Sequence, residues 1–158
     1  MNQWNNLDPA IRSIVKISMF KKSLLKFIRP SQAYVYNVND YVGLKLLTRL
    51  RLNLSHLYEH KFRHNFQDTV NPLCSCSLES ESTTHFLLHC PFYDNQRIAL
   101  FESIRDIDVS ISSLSENNLV NTLLYGNNEL FSSETNTRIL NCTICYLKSS
   151  GRFEAKLF

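Results

Sequence analysis

Three cysteines and one histidine fall within 17 residues, in the order Cys74-x-Cys76-x8-His85-x4-Cys90. Three thiols and an imidazole make a complete tetrahedral donor set of the kind Zn2+ favours. Cys74 and Cys76 stand too near each other for a relaxed disulfide, yet a tight turn lets both face one ion. His85 and Cys90 can approach that ion from a short helix and its end. Four protein donors leave no position open for water, so the Zn2+ is expected to be structural rather than catalytic. It would staple a polar loop that has little core of its own. His89 is the alternative fourth ligand, because residues four apart share a helix face. His85 is preferred, since His89 adjoins Cys90 and neighbouring side chains rarely both reach one ion.

Other chemistry-bearing residues are sparser. Cys142-Thr-Ile-Cys145 has redox-like spacing but lies in an amphipathic helix with no strand before it, so both thiols are read as buried helix cysteines. His60 and His64 are four apart without a carboxylate or thiol to complete a site. With Lys61 and Arg63 they read as a solvated basic face. There is no Gly-rich phosphate loop, no Gly-x-Ser-x-Gly and no carboxylate pair in an apolar setting, so the chain is not expected to be an enzyme and no small-molecule substrate is expected. A second functional lead is basic: Arg49, Arg51, Lys61 and Arg63 could neutralise phosphates, with Tyr58, Phe62 and Phe66 interleaved to stack on bases or to pack.

The elements that must carry these groups are helical. Asp8-Pro9 opens a helix over 8–28, in the cap-then-Pro order, and Pro30 ends it. Residues 31–38 read as a linker. In 39–64, Leu47, Leu50, Leu54 and Leu57 recur at spacings of 3, 4 and 3, one side of a helix or of two joined helices, with Gly43, Asn53 and Ser55 as possible breaks. Residues 66–84 are a polar loop. Ser82, Thr83 or Thr84 can cap a short helix from His85 to Cys90, stopped by Pro91. Further helices are expected over 92–106 with Leu100 and Ile104 inward, over 116–124, and over 133–149 with Ile139, Leu140, Tyr146 and Leu147 inward and Gly151 past its end. Asp106 and Asp108 sit in a turn and read as a cap. The fold class is therefore all-α, a helical domain with a small zinc-knuckle loop. It divides into 1–37 (a helical segment), 38–106 (basic helices and knuckle) and 107–158 (C-terminal helices).

At 158 residues, 44% hydrophobic and 20% charged, the chain has the composition of a folded domain. The net charge of +3 hides a split. Residues 1–66 hold 11 Lys and Arg against three acids, a net +8, while residues 67–158 hold six against 11, a net −5. Such asymmetry points to a polyanion partner for the first half. No apolar run approaches the ~20 residues that span a bilayer. The start lacks a signal-peptide layout, and five cysteines is an odd number for a secreted disulfide framework. An intracellular protein, in nucleus or cytoplasm, with no membrane contact, is expected.

LLTRLRLNLSHLYEHKFRHNF followed by NPLCSCSLESESTTHFLLHCPFYDNQR resembles the zinc-knuckle tail downstream of the reverse transcriptase domain in non-LTR retrotransposon polyproteins. The family's basic "RLR" helix corresponds to Arg49-Leu50-Arg51, its Cys-x-Cys pair to Cys74 and Cys76, its acidic-to-Thr stretch to Glu79–Thr84, its "HFLLHCP" to His85–Pro91, and a later Arg to Arg97. The opening WNNLDPAIRSIVKISMFKKSLLKFI resembles the segment between polymerase and tail. The resemblance covers about residues 4–106. One departure is Ser77, where the family usually has Gly after the second Cys. No polymerase Asp-Asp motif and no endonuclease domain are present. The resemblance implies a module that holds RNA or single-stranded DNA, an orphaned C-terminal fragment without the polymerase core, which a reverse transcriptase core could also partner. The other readings are a zinc-stapled interaction or scaffold module and a decayed gene fragment.

Overall fold

A computed structural model describes residues 37–153. The helix expected over 8–28, with its lysines, lies outside the described residues. Five α-helices form the described fold: α1 (Tyr41–Arg51), α2 (Tyr58–Arg63), α3 (Asp94–Arg105), α4 (Glu116–Tyr125) and α5 (Ser133–Ser149). A π-helical turn, His85–His89, and two 3-10 turns, Pro91–Tyr93 and Val109–Ser113, link them. The all-α expectation holds, and the only β feature among the described residues is an isolated antiparallel bridge between Leu73 and Ser80.

Local chemistry sets the helix ends. The Asp40 carboxylate accepts the Gly43 N–H at 2.8 Å to start α1 and also pairs with Lys148 of α5 at 2.9 Å. Those two contacts hold the Asp40 carboxyl below its usual range. α1 stops at a Schellman motif: Asn53 takes φ +53°, its N–H donates to Leu50 O, and the Leu54 N–H donates to Arg49 O. α2 ends the same way through Asn65 at φ +55°, with bonds to Phe62 O and Lys61 O. The break at Asn53 takes Leu54 off the apolar stripe, leaving it half exposed while Leu57 is buried. Gly43, one of the possible breaks expected from sequence, lies inside α1. A Cβ there would come within 2.1 Å of Ile144 Cγ2, so the glycine permits close approach of α1 to α5.

α5 is the hub. Ser132 caps it by accepting the Thr135 N–H at 3.1 Å, and Gly151, at φ +64°, follows its end. It packs against α1, α3 and α4. Its buried stripe, Ile139, Leu140, Ile144, Tyr146 and Leu147, contains all four residues expected to face inward. Leu100 and Ile104 of α3 face the same core as expected. Asp108 caps the Val109–Ser113 turn by accepting the Ser110 N–H at 2.9 Å. One hydrophobic cluster runs from Val38 to Phe153, with Phe86 and Leu87 of the π turn inside it. No described helix is long and apolar enough to cross a membrane.

Candidate metal centre

The Cys-x-Cys arm is a hairpin over residues 72–81. Glu81 N–H donates to Pro72 O and Cys74 N–H to Glu79 O, each at 2.8 Å, and the Ser77 N–H closes the turn on Cys74 O at 2.8 Å. Ser77 takes φ +63°, the left-handed conformation that a glycine adopts without steric cost. Ser77→Gly is therefore expected to stabilise the protein by about 0.5–1 kcal/mol, the Cβ strain relieved less the extra freedom of the unfolded chain. Thermal unfolding of the two forms side by side checks this, and a lower midpoint for the glycine variant counts against it.

The second arm is the π turn. Ser82 Oγ accepts the His85 N–H at 3.0 Å, the capping role expected of this Ser/Thr cluster. Cys90 N–H then donates to His85 O at 2.8 Å, an i→i+5 bond. In an α-helix, residues five apart point about 140° away from each other; the wider π ring brings them round towards one side. His85 and Cys90 thus meet the hairpin together. Arg97 of α3 holds this arm, donating to Leu87 O at 3.1 Å and to Cys90 O. Tyr146 of α5 donates to Phe86 O at 2.5 Å.

The four donor atoms of Cys74, Cys76, His85 and Cys90 all lie within 4.8 Å of one another. Cys74 Sγ is 3.7 Å from Cys90 Sγ, and Cys76 Sγ is 3.2 Å from His85 Nε2. A tetrahedron with metal–sulfur bonds of ~2.3 Å and a metal–nitrogen bond of ~2.0 Å has S···S and S···N edges of roughly 3.8 Å and 3.5 Å. The cluster fits a four-coordinate ion with no open position. His89 does not take part: its side chain is 43% exposed and its Nε2 lies 3.3 Å from Glu116 Oε2. The choice between the two histidines falls to His85.

Backbone hydrogen bonds and burial act on the three thiols in opposite directions. Backbone N–H groups two residues on point at each sulfur: Cys76 at Cys74, Leu78 at Cys76, Phe92 at Cys90. Such bonds favour thiolate. Burial nonetheless pushes the Cys74 thiol up to about 12 and raises Cys90. At Cys76 burial also pushes upward, but the Leu78 N–H, Cys74 and His85 outweigh it and bring that thiol to about 7. A bound cation reverses the penalty on the buried pair. His85 Nδ1 is buried and makes no well-aligned hydrogen bond, but Glu79 Oε1 stands 3.0 Å from it.

The residues expected to meet phosphates are dispersed. Lys61 is only 3% exposed; its ammonium pairs with Asp68 and lies over the Tyr58 ring. This corrects the solvated reading. The Asn65 turn folds the following loop back so that Asp68 reaches the inner face of α2. Arg51 docks α1 on α4: its Nε donates to Leu124 O at 2.6 Å, its guanidinium lies 5.3 Å from the Tyr125 ring centre, and Tyr125 donates to Arg51 O at 3.1 Å. Arg49 is half-buried. Arg63 is exposed and pairs with Glu59 at 2.5 Å.

His60 is likewise not on a solvated face. It is buried, with Nδ1 2.7 Å from Ser55 Oγ and Nε2 3.2 Å from Thr83 Oγ1. Burial, aided by the charges of Arg63 and His64, lowers its pKa to about 4. The unfolded imidazole titrates near 6.5 and so takes up a proton first as pH falls. The stability from this site is complete above pH 6.5 and is lost between pH 6.5 and 4, in total roughly 3 kcal/mol. The metal ligands take up protons over an overlapping range, so the wild type is compared with His60→Gln. The wild type should lose more stability between pH 7 and 5, by about 2 kcal/mol. Parallel pH profiles would show that the imidazole is not the group responsible.

Cys142 is half-buried and Cys145 exposed, against the expectation that both are buried, because Thr143 and Ile144 between them take the core-facing positions. Sequence reasoning missed Glu81 and Arg152, which form a buried pair at 2.6 Å. Nothing in the polar run around Glu81 marks it, since its partner lies 71 positions away. No protein-family model, curated protein or solved structure matches the chain.

Proposed function

We propose that the chain is a nucleic-acid-binding module stapled by a structural Zn2+ on Cys74, Cys76, His85 and Cys90. The observation that carries the reading is the convergence of those four donor atoms within 4.8 Å. Three thiolates and one imidazole suit Zn2+ better than the hard cations Mg2+ or Ca2+, which take oxygen donors. A closed shell assigns the ion to structure, and no step of catalysis is needed.

The nucleic-acid part rests on charge and on the likeness of residues 4–106 to a retrotransposon tail. Since Lys61 and Arg51 are occupied within the fold, the phosphate-binding role passes mainly to the six Lys and Arg between residues 12 and 29, with Arg49 and Arg63 as further contributors. With four phosphates neutralised on a single strand, log K against log salt should have a slope of about −3. Fluorescence anisotropy with RNA and single-stranded DNA oligonucleotides of mixed sequence tests this. Charge reversal at Lys21, Lys22 and Lys26 should weaken binding and flatten the slope. No binding at low salt, or binding indifferent to those reversals, overturns the reading.

One observation favours a docking role instead: Val70, Leu73 and Leu78 stand exposed on and beside the metal hairpin. Self-association in the absence of nucleic acid, abolished by Val70→Ser with Leu78→Ser, would support it.

A further inference from the structure

Glu79 makes two contacts that reach both halves of the donor set. Its backbone carbonyl accepts the Cys74 N–H at 2.8 Å. Its side-chain Oε1 stands 3.0 Å from His85 Nδ1, the ring nitrogen opposite the one that faces the thiols. His85 is itself buried, its Nδ1 makes no well-aligned hydrogen bond, and Glu79 Oε1 stands within reach of it. A neutral imidazole carries one N–H and one lone pair, and the acceptor at one nitrogen decides which nitrogen is left to bind a metal.

We infer that Glu79 is a positioning residue of the metal centre: its carboxylate takes the Nδ1–H of His85 and so fixes the ring with the Nε2 lone pair towards Cys74, Cys76 and Cys90. The inference rests on the metal reading above. A carboxylate behind a ligating histidine locks its tautomer and orientation and raises its basicity. The Glu79 side chain is 56% exposed, so shortening it leaves no cavity, and the backbone bond to Cys74 is retained. Glu79 therefore differs from a core residue in what its loss should change: the affinity for the ion rather than the packing.

The experiment is competition for Zn2+ against a chromophoric chelator, with Co2+ absorption as a second probe, on the full chain. Glu79→Ala should bind Zn2+ about 10–100-fold more weakly than wild type. Glu79→Gln, whose amide oxygen can still accept the Nδ1–H, should stay within a few-fold of wild type. The Nδ1 proton of His85 in the Zn2+-loaded protein should resonate far downfield in wild type and exchange too fast to be seen in Glu79→Ala. Equal affinities for Glu79→Ala and wild type overturn the inference. So do equal losses for Ala and Gln, which would mean that the N–H acceptor is not what matters. If wild type binds no stoichiometric Zn2+ at all, the metal reading itself falls and takes this inference with it, a result distinct from the other two.

Discussion

Chelation of the Zn2+-loaded protein is expected to lower its melting temperature by ~10 °C or more and to release the hairpin over residues 72–80, while the helical core, with Phe86 and Leu87 of the π turn in it, persists. Structural Zn2+ contributes folding free energy directly, about 10–16 kcal/mol of binding in small zinc units. Part of that is spent here on ordering a loop with little else to hold it. The hairpin has one bridge, Leu73 to Ser80, and its turn residues Ser77 and Leu78 are exposed. Without an ion, Cys74 and Cys90 are buried thiols at contact distance whose ionisation burial opposes. The core on α1, α3, α4 and α5 does not pass through the hairpin: Leu47, Leu100, Leu123, Ile139 and Leu147 pack on one another's helices. Hydrogen exchange should therefore show protection lost first at Cys74, Ser77 and Glu81, whose N–H groups make the hairpin bonds. Cys90→Ser should reproduce the effect and remove the stoichiometric metal. An unchanged melting temperature after chelation, or full Zn2+ occupancy in Cys90→Ser, would show that the four donors are not a metal centre.

Arg152→Ala is expected to destabilise the protein by about 3–5 kcal/mol, the cost of leaving a buried charge without its partner. Glu81 is 1% exposed and meets Arg152 through two parallel bonds, Nε to Oε1 at 2.6 Å and Nη2 to Oε2 at 2.7 Å. The same carboxylate accepts the Tyr58 N–H at 2.7 Å, and Arg152 also donates to His56 O at 2.9 Å. The pair thus joins three segments: the end of the metal hairpin, the start of α2 and the turn after α5. Burial works against the Arg152 charge, but Glu81 outweighs it and raises the Arg152 pKa above its usual value. Arg152 therefore stays charged across the ordinary pH range. Replacing both residues by Glu81→Gln with Arg152→Met should cost less than Arg152→Ala alone, because Gln still offers an acceptor to Tyr58 and no charge is stranded. Denaturant unfolding of the three proteins measures the difference. If the double variant is the least stable, the pair contributes more than the desolvation it demands.

The Cys/His cluster and most helices were legible because both are local. Cys74, Cys76, His85 and Cys90 lie within 17 positions, so spacing and donor chemistry alone bring them to one place. The helices over 94–105, 116–125 and 133–149 follow from apolar periodicity, and Asp108, read as a cap, does cap the Val109–Ser113 turn two residues from itself. Asn53 stood out as a break, and its left-handed backbone does end α1.

What could not be read depended on how the chain folds back on itself rather than on local pattern. Lys61, Arg51 and His60 carry the residue types of a solvated basic face. Lys61 and His60 are instead buried and Arg51 half-buried, through Asp68 on a returning loop, Thr83 after the hairpin and the end of α4 respectively. Glu81 gave no signal until Arg152 came beside it. The choice of His85 over His89 turned on a π turn, whose i→i+5 bond is compatible with the same letters as an α turn. Short-range patterns record hydrophobicity, capping and ligand spacing. The state of a charged side chain depends on desolvation and on a counter-charge, and for Lys61 and Glu81 both arrive only when Asp68 and Arg152 are folded against them.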